Sequence, residues 1–202
     1  LKFFGYDPEG GRYVPLFFGA LSIPFVGILS YQVAKNNSFL LTILLVSINI
    51  YLIKYSQETR TYTLVFFLST INLIFYYKII SSNLIDIKRI YIFSLFVIFS
   101  VLSLSSHPFV FIIFFSQIAY SVYSFFVFRN KNVLFLLSIP FILIIYLIIN
   151  YNYLISQFTY NEYFLEHENW KFYYNYYFSR FFGSKIMGLI YLFTLFFLII
   201  RF

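Results

Sequence analysis

Residues 13 to 34 read YVPLFFGALSIPFVGILSYQVA, a run in which no side chain is charged. A helix needs about 20 predominantly apolar residues to cross the hydrocarbon core of a bilayer, and this run has that length. The chain around it has the same character, because 61% of its 202 residues are hydrophobic, 26% are aromatic and only 10% are charged. A water-soluble domain could not bury so much apolar surface. The sequence therefore predicts an all-α integral membrane protein.

Further apolar runs of similar or slightly shorter length follow along the chain. They cover residues 38 to 54, 61 to 79, 90 to 105, 108 to 128, 133 to 149 and 184 to 200. Together the runs predict a polytopic bundle of about seven transmembrane helices, which forms a single transmembrane domain over residues 1 to 202. Only residues 105 to 108 separate the fourth run from the fifth, and a helical hairpin dipping into the membrane would show the same pattern.

One long segment, at about 150 to 183, separates the last two runs. It is rich in tyrosine, with phenylalanine and Trp170 interspersed. Aromatic rings of this kind favour the membrane interface, so we expect an external loop that lies partly along the membrane surface. An aromatic belt and a dedicated binding site are both open interpretations of this loop.

The distribution of charge predicts the orientation of the bundle. If the runs alternate across the membrane, seven of the 14 basic residues lie on each side. One side holds a single acidic residue, Asp86, and the other side holds the remaining six. Lys and Arg mark the cytoplasmic side only when they lie in short loops, so Lys171 and Arg180 of the long segment at about 150 to 183 do not count. The remaining bias favours the side of Asp86 as cytoplasmic. The net charge of +7 therefore indicates orientation. Nucleic-acid binding is rejected, because no basic patch is interleaved with an exposed aromatic platform.

The most informative stretch is the junction between the second and third runs, residues 55 to 62, which read YSQETRTY. Glu58 and Arg60 lie there at the boundary between two spans, where charged side chains are costly to keep. An arginine fork at a helix end can bind phosphate oxygens in a bidentate way, and a carboxylate can hold a metal ion or accept a proton from a hydroxyl. A local interfacial ion pair is the alternative. Thiolate metal sites are excluded, since the chain has no cysteine.

This stretch resembles the Tyr-Ser-Gln-Glu-Ala-Arg-Met-Tyr motif of bacterial glycosyltransferases that use polyprenyl-phosphate sugars. These enzymes belong to the GT-C superfamily and are similar to protein O-mannosyltransferases and lipid A aminoarabinose transferases. Two other stretches resemble the family in the same order along the chain. Gly5 to Arg12 is similar to the segment that leads into the family's second helix, and residues 106 to 109 (SHPF), with Gln117 downstream, are similar to its Thr-His-Tyr-Phe segment and later Gln.

The resemblance implies transfer of a sugar from a polyprenyl-phosphate donor to a lipid, glycan or protein acceptor. The reaction would take place at the outer face of the plasma membrane, among membrane lipids, and a divalent metal ion would be a possible cofactor. Arg60 would contact the donor phosphate, with Arg12 and Arg180 as further phosphate contacts. Glu58 would act in catalysis by organising the metal ion or the acceptor. The remaining pocket residues would be Gln57, Tyr62 and His107.

The family's catalytic base is an Asp in an external loop upstream of the region that this chain resembles. Asp7 and Glu9 lie where the family begins its second helix and do not replace that base, so we expect the chain to be an internal fragment whose base lies upstream. Two other classes remain open. A polysaccharide polymerase or lipid-linked-glycan transporter also places an arginine near a lipid phosphate, whereas a non-catalytic membrane scaffold predicts that Glu58 and Arg60 are replaceable.

Overall fold

The structure is a computed structural model. It describes residues 10–34, 38–81, 86–107, 110–129, 133–134, 136, 138–152, 155–156, 186, 188–190 and 192–193. A short 3-10 turn, Gly10–Arg12, leads into the first of the seven α-helices with described bounds. The helices are α1 (Tyr13–Ala34), α2 (Ser38–Ser47), α3 (Ile50–Ser56), α4 (Tyr62–Ser81), α5 (Asp86–Ser106), α6 (Val110–Phe128) and α7 (Ser138–Ile149). The described residues contain no strand, and the all-helical prediction is confirmed for them.

Three of these helices, α1, α4 and α6, are long and apolar enough to cross a membrane. Helices α2 and α3 together form a fourth candidate span, which is bent by 56° at the break between them. The apolar parts of α5 and α7 are shorter, at Ile90–Ser106 and Ile139–Ile149. These helices are consistent with a membrane protein. The count of seven spans stays a prediction, because the described residues hold three such helices, or four with the bent pair.

The chain divides into two compact units, Leu1–Ile149 and Asn150–Phe202. In the second unit only short helical pieces are described. Of the predicted loop at 150 to 183, residues 151–152 and 155–156 are helical, and the rest of the loop beyond Asn150, with Trp170 and Arg180, lies outside the described residues. Most of the predicted span at 184 to 200 also lies outside them. The candidate site described below belongs to the first unit.

Helix α4 is the most buried of the three long helices. It packs against α1 on one side and against α5 and α6 on the other. The apolar core lies between α4, α5, α6 and α7 and contains Tyr76, Ile79, Phe96, Leu104, Val110, Phe114, Leu136, Ile139 and Leu143. Large apolar side chains also cover the outside of the bundle, as at Leu40, Ile50 and Ile148, which are about 70% exposed. Lipid is the solvent that accommodates such a surface.

Small residues in α1 allow α2 and α3 to approach closely. A Cβ atom on Gly19 would lie 2.9 Å from the Cβ of Ser56, and one on Gly27 would lie 2.8 Å from Cγ1 of Ile43. Small residues at helix contacts are typical of membrane bundles, because lipid supplies no hydrophobic force that drives helices together and close packing must replace it. The contact at Gly19 holds the end of α3 beside the first half of α1. Three chain segments therefore meet at this end of the bundle: the start of α1, the α3–α4 connection and the end of α5.

Candidate functional site

The connection between α3 and α4 forms a tight turn of five residues, Gln57 to Thr61. The amide of Gln57 donates to the carbonyl of Lys54 at 3.0 Å and ends α3, while the amide of Arg60 donates to the carbonyl of Glu58 at 2.7 Å. These two bonds fix the turn through its backbone, so the polar side chains remain available at the end of two apolar helices. The predicted junction is thus a helix–turn–helix connection at one end of the bundle.

The start of α1 lies directly against this turn. A Cβ atom on Gly11 would stand 2.9 Å from Cγ2 of Thr59, a distance that no real side chain would accept. The absence of a side chain at Gly11 lets its neighbour Arg12 come beside the turn. A cleft of about 280 Å³ results, and it is lined by Arg12, Gln57, Glu58, Thr59 and Arg60. We call it the arginine cleft.

The charged groups of the arginine cleft contact one another only loosely. Oε2 of Glu58 lies 3.7 Å from Nε of Arg60, and Oε1 lies 3.9 Å from Nζ of Lys54. The side chain of Arg60 is 64% exposed and that of Lys54 is 52% exposed. Exposed ion pairs at such distances contribute little to stability. The local ion pair considered from the sequence is present, and it joins Glu58 to Nε of Arg60 at a distance longer than a hydrogen bond.

A row of aromatic rings runs from α3 past the cleft to the end of α5. The centroids of Tyr51 and Tyr55 are 5.9 Å apart, and those of Tyr55 and Tyr62 are 4.9 Å apart. The ring of Tyr62 then lies 5.8 Å from that of His107. The guanidinium carbon of Arg60 is 5.9 Å from the centroid of Tyr62, within the range of a cation–π contact. Tyr62 thereby connects the arginine cleft to His107.

His107 immediately follows the last residue of α5 and forms the turn into α6. Its carbonyl accepts a hydrogen bond from the amide of Val110 at 3.2 Å, which begins α6. Partial burial lowers the pKa of His107 from its ordinary value, because desolvation disfavours the imidazolium form. At neutral pH the ring is therefore mainly neutral, and one of its nitrogens is a hydrogen-bond acceptor.

The described residues do not form a metal site. No group of three or more His, Asp or Glu side chains comes together among them. Of the described residues that line the cleft, Glu58 alone carries a carboxylate, and its two oxygens face Lys54 and Arg60, which would compete with a cation. A metal ion at Glu58 stays a prediction, and Asp7 and Glu9 lie outside the described residues.

Six of the seven site residues predicted from the sequence come together in the structure. Arg12, Gln57, Glu58 and Arg60 line the cleft, and the rings of Tyr62 and His107 lie beside it. The seventh, Arg180, lies outside the described residues. Sequence reasoning missed the site contributions of four residues, namely Gly11, Lys54, Tyr55 and Thr59. The i, i+4 spacing of Lys54, near the end of α3, and Glu58, in the following turn, is a usable signal, since residues with this spacing can form an ion pair at a helix end.

Comparisons with known proteins give no match: no family model, no curated protein and no solved structure is similar to this chain.

Proposed function

We propose that the chain is part of a membrane glycosyltransferase that moves a sugar from a polyprenyl-phosphate donor to a lipid, glycan or protein acceptor. The observation that carries the proposal is the convergence of Arg12 and Arg60 on one cleft. The two residues come from separate parts of the chain, and both lie at the ends of apolar helices. Among the described residues that line the cleft, two guanidinium groups beside a single carboxylate leave an excess of positive charge, which favours an anion.

A phosphate attached to a long isoprenoid chain fits this location. The cleft lies where α3 ends and α4 begins, and α2 and α3 expose large apolar side chains, as at Leu44, Ile50 and Ile53, with the charged Lys54 close to the cleft. An isoprenoid chain could therefore remain in lipid contact along these helices while its phosphate reaches Arg12 and Arg60. A soluble sugar nucleotide has no lipid chain that could pack against this apolar surface.

The chemistry assigned to the cleft is displacement at the anomeric carbon of the sugar. The acceptor oxygen forms a bond to that carbon, the bond between the carbon and the phosphate oxygen breaks, and the electron pair leaves with the carrier phosphate. Arg60 and Arg12 stabilise the charge that develops on this phosphate. The proton of the acceptor hydroxyl passes to the catalytic base, which the family resemblance identifies as an Asp of another external loop, while Glu58 organises the acceptor or a metal ion in the cleft. Gln57 lines the cleft, and the rings of Tyr62 and His107 lie beside it, where their aromatic faces can pack against the sugar ring.

The test is binding of a polyprenyl-phosphate sugar to the chain in lipid nanodiscs, measured by isothermal titration calorimetry. We expect Arg60→Ala to weaken binding about tenfold or more, since a charge-assisted hydrogen bond is worth roughly 1.5–3 kcal/mol. Arg60→Lys should restore part of the loss, because an ammonium keeps the charge but lacks the planar fork. Binding should also weaken as the salt concentration rises.

The matched control is Arg129→Ala, which removes an exposed arginine from the opposite end of the bundle, just after α6. It should leave donor binding unchanged, and helix content by circular dichroism should be the same in all variants. Equal binding by the wild type and Arg60→Ala would remove the basis of the proposal. A matching loss in Arg129→Ala would show that net charge, and not the arginine cleft, attracts the lipid.

A further inference from the structure

Asn72 lies in the buried middle of α4 and is hydrogen-bonded to two other helices. Its Nδ2 atom donates to Oγ of Ser100 in α5 at 2.8 Å, and its Oδ1 atom accepts from Nε2 of Gln117 in α6 at 2.6 Å. Asn72 and Gln117 are 1% and 2% exposed, and Ser100 is fully buried. One side chain therefore holds both helices of the α5–α6 hairpin against α4.

Neighbouring hydrogen bonds support the contacts of Asn72. Ser100 donates its own hydroxyl proton to the carbonyl of Phe96 at 2.7 Å, so its oxygen is oriented to accept from Asn72. One turn further along α4, the hydroxyl of Tyr76 donates to the carbonyl of Gln117 at 2.7 Å and lies 2.9 Å from Oγ of Ser121. Tyr76 thus repeats the hydrogen-bonded contact between α4 and α6, whereas Asn72 is hydrogen-bonded to both α5 and α6.

His107 stands at the tip of the hairpin that Asn72 holds. His107 lies seven positions after Ser100, and Asn72 lies ten positions after Tyr62. At 1.5 Å per residue the tip lies about 10 Å above the Asn72 contact along α5, and Tyr62 lies about 15 Å above it along α4. Because α4 and α5 run in opposite directions, these two residues meet at the same end of the bundle, where their rings are 5.8 Å apart.

Apolar packing alone specifies helix position weakly in a membrane, since lipid tails are as apolar as the side chains that they would replace. A buried amide with two directional partners is different, because a shift of α4 by one residue along its neighbours would break both bonds and leave polar groups in hydrocarbon. The Asn72 contacts therefore select one relative position of α4, α5 and α6.

We propose that Asn72 is a positioning residue for the candidate site: by holding both helices of the α5–α6 hairpin, it sets where His107 stands relative to Tyr62 and the arginine cleft. Asn72 acts at a distance from the cleft, because its hydrogen bonds go to Ser100 and Gln117 and not to residues that line the cleft. The consequence for sugar transfer rests on the proposed function, whereas the effect on the geometry of His107 does not.

The experiment follows the imidazole signal of His107 by NMR in the full chain, in detergent micelles, as a function of pH. The chain has two histidines, so His167→Gln in every sample leaves one signal to assign. In the wild type we expect a pKa below the ordinary value, because His107 is partly desolvated. Asn72→Leu should loosen the hairpin tip, admit water around the ring and raise the pKa of His107 toward its ordinary value. The contact between the rings of Tyr62 and His107, seen as a nuclear Overhauser effect, should weaken in parallel.

Two further variants separate positioning from general destabilisation. Ser100→Ala removes only the α5 partner of Asn72, and it should raise the pKa of His107 by a smaller amount. Thr70→Val is the matched control, because Thr70 is equally buried in α4 but donates only to the carbonyl of Phe66 within its own helix, at 2.7 Å. It should leave the titration of His107 unchanged.

The proposal would be overturned if folded Asn72→Leu and Ser100→Ala both showed the wild-type pKa of His107. It would also be overturned if Thr70→Val shifted this pKa as much as Asn72→Leu does. If Asn72→Leu does not fold, Ser100→Ala decides the question, since it deletes a single oxygen atom. Loss of donor binding on Arg60→Ala concerns only the proposed function. The two proposals therefore fail through different measurements.

Discussion

Gly19 in α1 faces the end of α3 with no room for a side chain, since a Cβ atom there would lie 2.9 Å from Cβ of Ser56. In an unconstrained helix Gly→Ala is stabilising by about 1 kcal/mol. Here we expect Gly19→Ala to lower the thermal unfolding temperature, because the overlap with Ser56 forces α3 away from α1. Circular dichroism of the purified chain in detergent measures this change.

The double variant Gly19→Ala, Ser56→Gly tests whether that contact is the cause. Without the Cβ of Ser56, the nearest remaining atom of residue 56 to the new side chain is its Cα, at 3.8 Å, an ordinary contact. The double variant should therefore be more stable than Gly19→Ala alone. Simple additivity of the two single changes would place the cost elsewhere in the bundle.

Individual residues also show how far the sequence could predict the site. Glu58 and Arg60 were identifiable because charges at a boundary between two spans are costly and few. The approach of Gly11 to Thr59 was not, because it joins segments that are distant along the chain and depends on how α1 packs against α3. Arg12 was named from the family resemblance, and its position beside Arg60 is a product of the tertiary fold.

At the scale of the elements, the break between α2 and α3 orients the approach to the arginine cleft. Asn49 caps α3, with Oδ1 accepting from the amides of Tyr51 at 3.0 Å and Leu52 at 3.1 Å. A cap of this kind contributes about 1 kcal/mol, and it ends one helix so that the next can start in a new direction. The bend of 56° directs α3 toward the turn at Gln57.

We expect Asn49→Leu to favour one continuous helix over residues 38 to 56 and to move the α3–α4 turn away from Arg12. Donor binding should weaken as a result, although no residue of the cleft is changed. Asn49→Ser keeps a side-chain oxygen that can cap α3 and should bind the donor as the wild type does. Equal binding by Asn49→Leu and Asn49→Ser would show that the bend has no influence on the cleft.

The helices themselves were largely predictable from apolar run length. The run at 13 to 34 coincides with α1, because charged or polar residues lie at both of its ends. The run at 38 to 54 did not predict a bend, since it is apolar almost throughout and only Asn49 gives a local signal. Helix α5 begins at Asp86, before the apolar run at 90 to 105, because a first turn outside the hydrocarbon can be polar.

At the scale of the whole bundle, the described charges lie at the two ends of the helices and leave the apolar middle free of them. Asn72 and Gln117 are neutral amides that hydrogen-bond each other in this middle, which agrees with the cost of burying charge in hydrocarbon. By the alternation of the helices, the cleft end carries Arg12, Lys54, Glu58 and Arg60, and the other end carries Lys78, Lys88 and Arg129.

The orientation of the bundle decides whether the arginine cleft can serve chemistry at the outer face. The bias of basic residues in short loops predicts that the cleft end is external. Because the chain contains no cysteine, single reporters can be added at the two ends of α4, as Thr61→Cys beside the cleft and Ser81→Cys at the far end, both at exposed positions. A membrane-impermeant maleimide should label Thr61→Cys in intact cells and Ser81→Cys only after the membrane is permeabilised. The opposite labelling pattern would place the cleft at the cytoplasmic face and contradict an external transferase. Labelling of both cysteine variants in intact cells would show that α4 does not cross the membrane.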